Sequence, residues 1–255
     1  MIFYLSCTGN TKWAAQHIAK ATNEELIFIP DIINTECRFT LHKGERIGFC
    51  FPVHGWRVPK IVRAFIQKLT IENPTYTYAL CTAGDNIGET MDILQSDLSK
   101  RGLHVDSTFT LIMPESYVGL PFMNVDKPEK EKRKKDVAAQ HLDEYIEIII
   151  KNMKGEHHDI LGTWPRLNSR ILGGYFSNIL ITDKPFYVNS SKCVKCGICA
   201  DVCPVKNIKG GLGLEPEWLH NNTCLTCFAC YHHCPHHAIE YGKRTKNKGQ
   251  YFFKD

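Results

Sequence analysis

No stretch of the 255 residues approaches the length of a membrane-spanning helix, about 20 apolar residues, so a membrane span is not expected. Met1–Leu5 is apolar but carries neither a basic leader nor a cleavage site; it reads as a first strand, and a cytoplasmic location is expected. Both common glycine-rich fingerprints are missing. Without G-x-x-x-x-G-K-[ST] a P-loop nucleoside triphosphatase is not expected, and without G-x-G-x-x-G there is no dinucleotide signature. No nucleophilic triad, general-acid pair or helix-turn-helix stands out either. Cysteine, by contrast, is abundant: twelve in a chain with no export signal, which argues against a disulfide scaffold. Eight fall between positions 193 and 234, while Cys7, Cys37, Cys50 and Cys81 are scattered and read as small buried hydrophobes.

The length suits one ordinary domain plus a smaller one, and a hydrophobic content of 43% supports a real core. Over the first 113 residues short apolar runs alternate with longer amphipathic ones, the pattern of a parallel sheet covered by helices. Strands are predicted at 1–6, 25–29, 45–52, 75–82 and 105–113, and helices at 11–21, 57–69 and 88–101. Between Pro30 and Gly44 few apolar residues fall in register. The basic run Lys127–Lys135 holds Glu129–Arg133 and Glu131–Lys135 at i,i+4 with the acid first, so it reads as the solvated start of a helix. That helix would turn Ala138, Leu142, Tyr145, Ile146, Ile149 and Met153 to the core. A second helical stripe runs through Leu167, Ile171, Leu172, Tyr175, Phe176, Ile179 and Leu180. Gly173 and Gly174 interrupt it, so tertiary packing must hold it, and it is expected to bridge two domains. Its modest number of basic residues speaks against a membrane-surface role.

The cysteine-rich region reads Cys193-Val194-Lys195-Cys196-Gly197-Ile198-Cys199-Ala200-Asp201-Val202-Cys203-Pro204. It recurs as Cys224-Leu225-Thr226-Cys227-Phe228-Ala229-Cys230-Tyr231-His232-His233-Cys234-Pro235. This is C-x₂-C-x₂-C-x₃-C-P stated twice, the spacing of two [4Fe–4S] clusters. Three thiolates two residues apart wrap one cube, and the fourth, starting a helical turn, points away to the other. By that logic Cys193, Cys196, Cys199 and Cys234 hold one cluster, and Cys224, Cys227, Cys230 and Cys203 the other. Zinc, the rival reading, takes four ligands from two C-x₂-C pairs and needs neither the third cysteine nor the C-P. A purely structural cluster is the other alternative, although two adjacent cubes with crossed ligands are easier to explain as a wire.

Over residues 185–242 the chain resembles the bacterial two-cluster ferredoxins. Ile198, Ile208 and Ile239 sit where such domains pack apolar side chains around the cubes. The pairs His232-His233 and His236-His237 depart from that pattern. They read either as exposed polar filler or as charges that shift the nearby cluster's potential with pH.

Strand one ends in Ser6-Cys7-Thr8-Gly9-Asn10-Thr11-Lys12 and a helix follows. Hydroxyls and backbone N–H groups at a helix start make an anion cradle, unless this is a plain N-cap turn. The loop resembles the flavodoxin phosphate loop T/S-x-T-G-N-T at Ser6, Thr8, Gly9, Asn10 and Thr11. The resemblance implies a flavodoxin-like, doubly wound, five-stranded parallel sheet of order 2-1-3-4-5 that binds FMN at the strand ends. Two further loops would meet the flavin ring: Pro52, Val53, His54, Gly55 and Trp56 after strand three, and Thr82, Ala83, Gly84 and Gly88 after strand four. Trp56 would either stack on the ring or serve a domain contact. Gly55 suits a peptide turning toward flavin N5, and His54 is either an exposed loop histidine or a proton donor. The second loop lacks the aromatic many flavodoxins place there, which leaves one ring face open to a substrate or to the cluster domain.

Together the modules resemble a family of fused flavodoxin–ferredoxin proteins of anaerobes. The implied division is a flavodoxin-like FMN domain at 1–155, a helical linker at 156–184 and an α+β dicluster ferredoxin-like domain at 185–255. The formal charge of +4 does not point to nucleic acid once cofactors are counted, since each thiolate-bound cluster brings about −2 and the FMN phosphate roughly −2 more. The expected function is electron transfer between clusters and FMN and on to a redox partner protein. A flavin reductase of a small-molecule electron acceptor (a quinone or nitro-compound) and a redox-sensing binding protein are the alternatives.

Overall fold

The computed structural model describes residues 1–254. Five parallel strands, β1 (Ile2–Tyr4), β2 (Leu26–Phe28), β3 (Arg46–Pro52), β4 (Tyr76–Ala83) and β5 (Ser107–Ile112), lie in the order β2-β1-β3-β4-β5. The order matches the doubly wound expectation. The count does not, because β6 (His157–His158) pairs with Thr108 and Phe109 and adds a sixth strand at the β5 edge. Part of the supposed linker thus belongs to the sheet. A separate parallel pair, Arg38–Thr40 with Thr70–Glu72, occupies the segment where register was weak.

Side chains alternate across each strand, so Phe3 packs with Phe49, Val62, Phe65 and Leu94 on one face, while Ile2 packs with Ala14, Ile18, Leu80 and Leu142 on the other. The helices that cover the two faces are α1 (Asn10–Thr22) and α4 (Pro128–Ile150) on one side, α2 (Lys60–Lys68) and α3 (Thr90–Ser99) on the other. The central strand β4 is buried at every position, as a strand covered on both faces must be. Each such Phe or Leu contributes about 1.5–3 kcal/mol relative to exposure. Because the five strands run parallel, the loops after β1, β3, β4 and β5 gather at the C-terminal end of the sheet.

Four of the six residues expected on the core face of α4 are buried; Ile146 is half-buried and Met153 is 41% exposed, because the helix stops at Ile150. In its first turns Glu131 pairs with Lys135 at 2.9 Å and Lys134 with Asp126 at 2.6 Å. Glu129–Arg133 is not among the ion pairs of the described residues.

The next helix, α5, runs from Pro165 to Leu180, with Asn168–Leu172 and Phe176–Leu180 wound as π-helix. It bridges the two parts of the chain, but of the apolar stripe Phe176 docks while most of the rest faces outward. Leu167, Ile171, Leu172, Tyr175 and Ile179 are exposed. The docked face is made of Ser169, Gly173 and Phe176. Arg57 donates to the Ser169 carbonyl at 2.7 Å, the Glu89 N–H donates to Ser169 Oγ at 2.8 Å, and a Cβ on Gly173 would overlap the Gly55 carbonyl oxygen. Small residues win here because the backbones approach too closely for a branched side chain. Past its C-terminus, Thr182 N–H donates to Thr226 Oγ1 at 2.8 Å and Thr226 Oγ1 donates back to the Thr182 carbonyl at 3.1 Å.

The C-terminal part pairs β7 (Phe186–Val188) with β10 (Ile239–Tyr241), and β8 (Ile208–Gly211) with β9 (Leu214–Trp218). One-turn helices α6 (Ile198–Asp201) and α7 (Ala229–His232) lie between, around a core of Phe186, Trp218, Phe228, Tyr231 and Tyr241. Among the described residues no helix is long and apolar enough to cross a membrane.

Candidate functional site

A cavity of about 280 Å³ opens at the C-terminal edge of the sheet. The phosphate-type loop supplies Ser6, Cys7, Thr8, Asn10 and Thr11, the β3 loop Pro52, Val53, His54, Gly55 and Trp56, and the β4 loop Thr82, Ala83 and Gly84. Two of the expected residues stand off it. Gly9, at φ +97°, turns the chain into α1 with the Phe253 backbone against it, and Gly88, at φ +56°, packs on Trp56 and Ser169.

The cradle is built for an anion. Ser6 Oγ takes the Lys12 N–H at 3.1 Å, and Thr11 Oγ1 is held to Thr82 Oγ1 at 2.8 Å. Among the described residues no acceptor takes the N–H groups of residues 8–11, which open at the positive end of a 13-residue helix. That is the donor set a phosphate needs, and the apolar walls above it suit a flat ring, so the residues fit FMN. Gly55 (φ +55°) and Trp56 (φ +57°) are both left-handed, a conformation that costs a tryptophan about 1–2 kcal/mol and is paid by the α5 contact below it. His54 is half-buried rather than exposed, and burial pushes its pKa down to about 4, so the ring is neutral at pH 7.

Several cavity residues escaped the sequence reading. Met113, Pro114, Glu115, Ser116 and Tyr117 follow β5 at the same sheet edge, a position the topology alone would have flagged. Phe176 of α5 and Leu225, Thr226 and Cys227 of the cysteine-rich part arrive from remote segments. Aromatic rings thus come from Tyr117 and Phe176, not from the β4 loop.

The C-terminal tail straps the two parts together. The Phe253 N–H donates to the Thr8 carbonyl at 2.7 Å, its ring stacks on Trp13 at 5.2 Å, and the Tyr251 hydroxyl donates to Asn10 Oδ1 at 2.6 Å. His232 is part of the same seam and is no surface filler. Its Nδ1 accepts the Tyr251 N–H at 3.1 Å, which leaves the proton on Nε2 to donate to the Ser116 carbonyl at 2.7 Å. His233 is half-buried against Phe252 at 4.3 Å, whereas His236 and His237 are exposed.

The eight cysteines fall into two pockets. One is walled by Cys193, Cys196, Cys199 and Cys234 with Ile198 and Ile239; the other by Cys203, Cys224, Cys227 and Cys230 with Ile208, Trp218 and Phe228. The fourth cysteine of each repeat therefore stands with the first three of the other. Backbone N–H groups of Asn207, Thr226 and Ala238 donate to Sγ of Cys203, Cys224 and Cys234 at 3.2–3.3 Å. Burial and neighbouring sulfurs push the bare thiols up, Cys199 to about 11 and Cys224 to about 12, a cost that a bound cation inverts. Among the described residues no three His, Cys, Asp or Glu side chains converge closely enough to hold a single metal ion. Four sulfurs spread around one pocket, with N–H donors on Cys203, Cys224 and Cys234, fit a cube better than a zinc tetrahedron. Of the scattered cysteines, Cys37, Cys50 and Cys81 are buried, but Cys7 lines the cavity and meets Cys227, whose thiol it pushes up as a hydrogen-bond partner, with burial second.

A flavodoxin domain model matches residues 1–105 and a 4Fe-4S dicluster domain model matches residues 186–235. Their domains imply FMN and iron–sulfur clusters, and with them an iron–sulfur flavoprotein of electron transfer. No curated protein matches the sequence. Among solved structures, a candidate flavoprotein from Bacteroides uniformis ATCC 8492 aligns at 17% identity over 44% of this chain and 88% of its own, with a TM-score of 0.36. The Flv1 flavodiiron core from Synechocystis sp. PCC6803 aligns at 18% identity over 56% of this chain and 36% of its own, with a TM-score of 0.30.

Proposed function

We propose that this chain, a flavodoxin-type domain joined to a 4Fe-4S dicluster domain, exchanges electrons between two [4Fe–4S] clusters and FMN and passes them to a redox partner. One observation carries the reading: Leu225 and Cys227 line both the large cavity and the second cysteine pocket. When bound, the clusters supply one-electron steps and FMN one- or two-electron steps. Cys203, Cys224, Cys227 and Cys230 would hold the inner cluster against the cavity wall. Cys193, Cys196, Cys199 and Cys234 would hold the outer one, where Cys193, Cys196 and Cys234 are only half-buried and within reach of a partner. Residues 8–11 bind the phosphate, and Trp56, Tyr117, Phe176 and Leu225 shield the ring from water.

Anaerobic reductive titration tests this. About four electrons per chain are expected, one for each cluster and two for the flavin. Cys203→Ala, in the first repeat, should remove the inner cluster of the second; loss of the outer cluster instead would refute crossed ligation.

The second reading is a flavin reductase of a small acceptor, fed by the clusters. The β4 loop has no aromatic, and Leu120 and Met123 of an exposed loop border the cavity mouth. Turnover of a quinone or nitro-compound by the intact protein that falls in Cys199→Ala would favour it over a protein-to-protein wire.

A further inference from the structure

We propose that Glu115 holds the proton that follows electrons into the large cavity. The inference rests on FMN occupying that cavity. Glu115 lies in the loop after β5, and its side chain folds back onto Gly84, where a Cβ would overlap Oε2. Oε1 accepts the N–H groups of Ser116 at 3.0 Å and Tyr117 at 2.9 Å. Among the described residues nothing donates to Oε2, which leaves that oxygen for an occupant.

Among the described residues two carboxyls line the cavity, and Asp85 is exposed, which leaves Glu115 as the one shielded enough to hold a proton there. Asp126 accepts the Glu115 N–H at 2.9 Å and is paired with Lys134 at 2.6 Å and Lys130 at 2.7 Å. Lys134 also donates to the Gly84 carbonyl at 2.7 Å, which with Asp126 occupies two of its three donors. Of the other titratable groups on the cavity, Asp85 is tied to Asn86 at 3.0 Å, His54 is neutral, and Tyr117 and Cys227 are pushed up, Tyr117 by burial and Cys227 by Cys7 and burial. Tyr251 of the tail is spent on Asn10. Burial raises Glu115 above the ordinary carboxylate range against the pull of its N–H donors and Lys134.

Two electrons delivered to the cavity bring excess negative charge to a wall that, among the described residues, is lined by no lysine or arginine. With FMN bound and reduced there, the Oε2–H bond would break, its proton would pass to the occupant of the cavity, and Glu115 would be left as a carboxylate held by the Ser116 and Tyr117 N–H groups. Solvent later returns the proton.

Infrared difference spectroscopy of the full chain loaded with FMN and reduced directly by dithionite tests this without relying on the clusters. A protonated-carboxyl C=O band should be present in the oxidised protein and lost on reduction. It should be missing from Glu115→Gln, which keeps Oε1 as acceptor, while FMN binding by visible absorbance is retained. A wild-type band that survives reduction, or the same loss in Glu115→Gln, overturns the assignment and leaves the electron-transfer reading standing. A chain that takes up no FMN overturns both.

Discussion

Replacing Gly174 by alanine adds a methyl group to α5 at a point where no atom lies within 4 Å. Glycine is the poorer helix former by about 1 kcal/mol, mainly through the entropy of the unfolded chain, so Gly174→Ala should stabilise by about that amount. The same methyl one residue earlier meets the Gly55 carbonyl oxygen, with the Asn168 carbonyl at 3.0 Å and Arg57 Cδ at 3.1 Å. Backbone oxygens do not yield like a side-chain end, and Gly55 belongs to a turn already held left-handed through Trp56. Overpacking of this kind costs about 1–3 kcal/mol, which offsets or exceeds the propensity gain. The two variants should therefore differ by roughly 1–3 kcal/mol in opposite senses, or several degrees in Tm at about 2–4 °C per kcal/mol for a chain of this size. Thermal unfolding followed by circular dichroism reads the difference. FMN affinity should fall only for Gly173→Ala, since Gly55 and Phe176 wall the cavity. Equal stabilisation by both substitutions would refute the close docking of α5.

His232→Phe fills the space but strands the Ser116 carbonyl and the Tyr251 N–H, so unfolding should become easier by about 1–3 kcal/mol in a denaturant titration. Unchanged stability would mean that the seam is not load-sharing. Tyr251→Phe removes the donor to the buried Asn10 Oδ1, at about 1–2 kcal/mol, and should weaken FMN binding by up to about tenfold in a fluorescence-quench titration; identical dissociation constants would count against the strap. His54 binds its proton more weakly folded (pKa about 4) than unfolded (about 6.5), so the unfolded chain holds more protons between those values. Its contribution is present above pH 6.5 and lost as pH falls toward 4, about 2–3 kcal/mol at most. The difference in stability between pH 7 and pH 5 should shrink in His54→Gln; an unchanged difference would place the acid sensitivity elsewhere.

Much of the site was legible because its chemistry depends on local spacing. Cysteines two residues apart can only wrap a tight loop, and the repeat of that loop carries its own crossing rule. The same holds for Ser6–Thr11, where a strand end, a glycine at φ +97° and a helix start lie within one short run. The parallel sheet followed from alternating apolar runs, and its order from the resemblance of the Ser6–Thr11 loop to flavodoxins. The sixth strand did not, because His157 and His158 have no strand-like pattern and pair only where the β5 edge is open. The α5 stripe misled for a related reason. Apolar periodicity assumes that the larger side chains face inward, whereas here Ser169 and Gly173 permit an approach that Leu172 or Ile171 would block.

What the linear chain determined by itself is the inventory: which cofactors the ligand types suit, which loop offers donors to an anion, and which strands build the platform. Each depends on contacts among neighbours in sequence, whose geometry is fixed by covalent reach. What only the tertiary structure decided is adjacency. Cys227 reaches the large cavity, the tail seals Gly9, and Glu115 faces Gly84 through packing between segments tens to hundreds of residues apart. Such contacts are chosen by the shape left over once the local elements have formed, and no spacing rule in the chain encodes that shape.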